Sequence, residues 1–78
     1  MRDVLVNYVR DALTELGGRA TLVQIAKHIW QHHRGDLERM GDLFYTWQYD
    51  MRWAATKLRR DGKLKAATRS PKGTWELT

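Results

Sequence analysis

Two sets of polar residues in this 78-residue chain recur at a four-residue spacing, which puts side chains on one face of a helix. One set is His28 and His32; the other is Gln48, Arg52 and Thr56. Paired histidines at this spacing can share a metal ion. The sequence supplies no third ligand in motif spacing and no general base between them, so two solvated imidazoles are expected, with no metal and no cofactor. His33 is expected at the edge of the core. The second set has a different chemistry, because Gln and Arg can form paired hydrogen bonds to the edges of adenine and guanine.

Nucleophilic catalysis finds no support. The only serine, Ser70, is far along the chain from the histidines, and Gly17-Gly18 lacks the Lys-Ser or Lys-Thr completion of a phosphate-binding loop. The chain is therefore expected not to be an enzyme and to take no small-molecule substrate.

Charge is segregated. Residues 51–73 contain eight basic residues and one acid, for a net +7, whereas the rest of the chain is at −2. A mildly acidic scaffold with a strongly basic end suits a polyanionic partner, although charge alone fits a solvated surface equally well. There is no cysteine to form a disulfide or a thiolate zinc site, so helix packing must supply nearly all the stability. No apolar run approaches the length of a membrane span and the N-terminus lacks the layout of a signal peptide, so no membrane partner is expected. The expected compartment is the cytoplasm, with nucleoid association if the source is bacterial.

The elements that must position these residues follow from periodicity. Leu5, Val9, Ala12, Leu13 and Leu16 mark one face of a helix from Asp3 to Leu16, stopped by Gly17-Gly18. Arg19-Ala20 forms an extended connector or a one-bridge strand, and Thr21 with Gln24 has capping-box spacing. The second helix carries Leu22, Ile25, Ala26 and Ile29 inward and is expected to stop near Arg34-Gly35. Asp36 to Tyr45 reads as a connector with some helix. From about Thr46 a third helix sets Trp47, Met51, Ala54, Ala55 and Leu58 on one face, with Thr46 or Asp42 as cap and Asp61-Gly62 as stop. Alternation then changes to two, with Leu64, Ala66 and Thr68 on one arm, Trp75 and Leu77 on another, and Pro71 to Gly73 turning between them. The expectation is one domain over 1–78: α+β, mostly α, three helices with a C-terminal two-stranded hairpin.

Residues 51–78, MRWAATKLRRDGKLKAATRSPKGTWELT, resemble the N-terminal winged-helix domain of the Mrr-type restriction endonucleases. The resemblance rests on Trp53-Ala54, Leu58, the basic pair Arg59-Arg60 before Gly62, Leu64, and a wing of the form SPKGTWELT. It implies a winged helix-turn-helix fold that binds double-stranded DNA. The family's nuclease residues have no counterpart here, so cleavage is not carried over.

In such a fold the third helix enters the major groove. Gln48, Arg52 and Thr56 are then expected at base edges, beside Tyr49, while Lys57, Arg59 and Arg60 hold phosphates. Lys63 joins the binding set, and Arg69 and Lys72 place charge at the wing tip. Trp53 is expected to pack in the junction of helix and wing, and Trp75, on the same side of its strand as Leu77, is expected in the core. Trp30 and Tyr45, if exposed together, would instead mark a protein-docking or dimer surface. One module of this size covers about 600–1,000 Å², so a homodimer or a protein partner is a reasonable expectation. The rival reading is a docking module on the same scaffold.

Overall fold

Leu5, Val9, Ala12 and Leu13 are fully buried in the computed structural model, which describes residues 3–78. They lie on helix α1 (Val4–Glu15), whose ends fall at Asp3 and Leu16. Leu16 departs from the expected stripe: it is the C-cap and remains 39% exposed. Tyr8 is buried instead, its ring stacked on His33 at 3.7 Å between centroids and its hydroxyl 3.4 Å from Asp36. After the helix, the Gly18 amide donates to the Leu13 carbonyl (2.7 Å), a C-terminal turn that Gly18 makes at φ +93°.

Strand β1 (Arg19–Thr21) leads directly into helix α2 (Leu22–Glu38). The capping box forms as expected: Thr21 Oγ1 accepts from the Gln24 amide (3.2 Å), and Gln24 Oε1 accepts from the Thr21 amide (2.9 Å). Thr21→Ala is expected to lower stability by about 1 kcal/mol in urea unfolding; an unchanged midpoint would mean that packing alone fixes this helix start.

The expected stop near Arg34-Gly35 is not where α2 ends. The helix runs on to Glu38 through a kink at His33 (φ −129°, ψ 17°). Ile25, Ile29, His33 and Leu37 are spaced by four, so each step drifts about 40° around the axis. The kink takes up that drift and returns Leu37, fully buried, to the core. Helix α3 (Leu43–Arg60) likewise begins one turn before the expected Thr46. Leu43, four residues ahead of Trp47, extends the buried stripe of Trp47, Met51, Ala54, Ala55 and Leu58. Asp42 occupies the N-cap position without a side-chain bond, and Thr46 lies within the helix, donating its hydroxyl to Asp50 (2.8 Å).

The class is α+β and mostly α, but the sheet is assembled differently from the expected hairpin. Strand β2 (Thr74–Glu76) pairs antiparallel with β1, Ala20 facing Trp75. The expected first arm contributes one bridge, Leu64 to Leu77, with the Lys65 amide donating to the Glu76 carbonyl (2.8 Å). Residues Ala67–Arg69 turn as a short 3-10 helix instead of extending. Burial explains the choice: Ala20 and Trp75 both close the core, whereas Ala66 and Thr68 have nothing to cover and stay exposed. The turn before β2 closes as expected, the Thr74 amide donating to the Pro71 carbonyl (3.0 Å) with Gly73 at φ +77°.

Candidate functional site

The buried stripe of α3 determines what its other face presents. With Trp47, Met51, Ala54 and Leu58 inward, Gln48, Tyr49, Arg52 and Thr56 are all exposed. Tyr49 is 76% exposed, which leaves its ring open on this face.

Two adjoining open grooves run along this face. Gln48, Tyr49 and Arg52 line the first, with Leu22, Val23 and Ala26 of α2 forming its far wall. Arg52, Thr56 and Arg59 line the second, closed at its end by Lys72, Gly73 and Trp75. Arg52 and Leu22 border both, so the grooves form one trough along α3 that ends at the turn before β2. Five of the expected contact residues from the helix and one from the turn, 13 or more residues further along the chain, are thus brought to one surface.

The cations are not equivalent. Among the described residues, Arg52, Arg60, Lys63, Arg69 and Lys72 make no side-chain hydrogen bond or ion pair and are exposed. Arg59 is half-buried and donates its Nε to the Lys65 carbonyl (3.2 Å), which ties α3 to the segment after it and leaves only its terminal nitrogens for a ligand. Lys57 lies outside the trough, its Nζ 5.9 Å from the centre of the half-buried Trp53 ring. Lys65, counted in the basic segment, is neutralised by Glu76 at 2.9 Å, and this hydrogen bond holds the Glu76 carboxyl below its ordinary pKa. The Thr56 hydroxyl donates to the Arg52 carbonyl (3.0 Å), so it meets a partner as an acceptor. Arg60, Lys63 and Arg69 are exposed but line neither groove.

Residues that sequence reasoning did not single out also shape the site. Val23 is 64% exposed on the wall opposite Gln48 and Tyr49, a placement set by how α2 crosses α3 and carried by no local signal. A further groove, about 500 Å³ and mainly apolar, continues from Gln48 between α2 and α3 and is lined by Val23, Ala26, Trp30, Phe44 and Trp47. Trp30 is half-buried there, stacked parallel to Trp47 at 6.1 Å, while Tyr45 is 83% exposed. Trp30 and Tyr45 therefore do not form the jointly exposed pair that would have marked a docking patch. Trp75, as expected, is a core residue.

Among the described residues no helix is long and apolar enough to cross a membrane. The fold and this surface define a small α+β domain with a cationic trough. Comparison with protein-family models, with curated proteins and with solved structures finds no match to this chain.

Proposed function

We propose that this chain is a winged helix-turn-helix module that binds double-stranded DNA, with α3 in the major groove and the turn at 70–73 against the flanking backbone. The observation that carries the reading is the shared trough: Arg52, Thr56 and Arg59 of α3 and Lys72 of the turn line one groove, with Gln48 continuing it. A helix and a turn that present hydrogen-bonding and cationic groups to one open surface match the two contact points of a winged helix on duplex. Gln48 and Arg52 are the base-reading pair, and Lys72, Arg60, Lys63 and Arg69 supply charge to phosphates. Arg59 acts through its position, fastening the wing to the helix. The reading is of a binder and not a catalyst, in the role of a transcriptional regulator or an accessory DNA-binding factor.

The salt dependence of duplex binding tests it. If four phosphates are neutralised, the log–log slope is about −3.6 and affinity falls about 150-fold between 50 and 200 mM salt. A second reading, docking of a protein partner, is favoured by one observation, the apolar groove of Val23, Ala26, Trp30, Phe44 and Trp47. Apolar docking changes little with salt, so a flat response in fluorescence anisotropy would reject the DNA reading.

A further inference from the structure

On the flank of α2 turned away from the trough, the two histidines four residues apart acquire a third neighbour that their spacing does not supply. Glu15, at the last position of α1, reaches His28 across the gap between the helices, with its Oε2 2.5 Å from His28 Nε2. The rings of His28 and His32 stack at 4.1 Å between centroids. One donor atom from each of Glu15, His28 and His32 lies within 4.8 Å of the other two. These residues line an open cleft of about 340 Å³, together with Asp11 one turn earlier on α1, Thr14, and His33, whose ring stacks on Tyr8 at the cleft's edge.

We propose that Glu15, His28 and His32 form a zinc-binding site. Two imidazoles and one carboxylate are a donor set that suits Zn²⁺ and discriminates against Mg²⁺, which prefers oxygen ligands throughout. Burial selects the nitrogen: His28 Nδ1 is buried and has no partner among the described residues, so Nε2 is the atom turned toward Glu15 and His32. A tetrahedral ion with bonds of about 2.0–2.2 Å needs donors about 3.3–3.5 Å apart. Glu15 and His32 are exposed, so rotation of their side chains closes the remaining ångström without moving backbone. The fourth position opens to the cleft, where water or the Asp11 carboxylate completes the shell. Bound there, the ion fastens the end of α1 to the middle of α2 in a chain that has no cysteine to do so. None of these residues lines the trough, so the proposal stands or falls separately from the DNA reading.

The test is a titration of the untagged, isotope-labelled protein with zinc chloride, followed by imidazole ¹⁵N–¹H correlations and by thermal unfolding. The expected result is saturation at one equivalent, with shifts at His28 and His32 larger than at His33, which is turned toward Tyr8 and Asp36. A rise in Tm with zinc and none with magnesium accompanies it. His32→Ala and Glu15→Ala, both at exposed positions, are each expected to weaken zinc binding by at least about tenfold, since even residues that only support a metal ligand cost that much. Unmoved His28 and His32 signals, or a variant that binds zinc as tightly as the parent, would overturn the proposal.

Discussion

Arg52→Glu is expected to weaken duplex binding by about two orders of magnitude at moderate salt while leaving the fold intact. Arg52 borders both halves of the trough, and its guanidinium has no partner among the described residues, so its hydrogen-bonding capacity is available to a ligand. Loss of a good paired contact to a base costs about 1–3 kcal/mol, and a carboxylate facing phosphate adds repulsion to that loss. Each 1.4 kcal/mol is about tenfold in affinity. Arg52→Ala separates the two terms: it loses the contact without the repulsion, so its loss is smaller, discrimination at the contacted base relaxes, and the salt slope stays nearly unchanged. Lys57→Glu is the comparison, since Lys57 lies over Trp53 and outside the trough. Equal losses for the two reversals in anisotropy titrations would mean that net charge alone governs binding, and the assignment of Arg52 would be wrong.

Trp75→Ala is expected to have the largest effect on stability. Trp75 is 7% exposed, faces Ala20 across β1 and β2, and also lines the groove that holds Arg52 and Lys72. Truncating a buried Trp costs about 3–5 kcal/mol. A domain of this size has a total stability of about 4–12 kcal/mol, so the variant loses about a quarter of it or more. Because 1 kcal/mol shifts Tm by roughly 4–8 °C in domains of 60–100 residues, a fall of at least about 12 °C is expected by circular dichroism. A fall below about 4 °C would show that β2 contributes little to the core, and that the turn carrying Lys72 is not held against α3 by packing.

The parts of the molecule legible in the sequence are those governed by local period. Trp47, Met51, Ala54 and Leu58 repeat strongly enough to place the face of α3, and placing it leaves Gln48, Arg52 and Thr56 outward. The Thr21–Gln24 cap is equally local, being fixed by two side chains and two amides three residues apart. Where local signals and tertiary burial compete, burial prevails. Gly35 marks a helix end by propensity, yet the helix continues because Leu37 gains complete burial and the kink at His33 supplies the needed rotation. Ala66 and Thr68 alternate like a strand, but alternation without a surface to cover does not make one, and β2 finds its partner 55 residues earlier, at β1.

The same limit applies to the candidate sites. That Lys72 comes to the groove of Arg52 depends on the pairing of β1 with β2, and that Glu15 comes to His28 depends on α1 packing against α2. Neither contact has a spacing rule. The partial neutralisation of the basic segment is also tertiary: Lys65 is paired with Glu76 and Arg59 is tethered to the Lys65 carbonyl, so charge counted along the chain overstates the charge available to a ligand.

The central claim, that the trough along α3 and the turn before β2 form a duplex-binding surface, is tested most directly by an amide-shift titration. The labelled protein is titrated with a mixed-sequence DNA duplex at low and then moderate salt. The account predicts shifts concentrated at residues 48–60 and 69–73, fading as salt rises, with the Glu15, His28 and His32 flank unmoved. Shifts spread evenly over all basic residues, or confined to Val23, Trp30, Phe44 and Trp47, would contradict it.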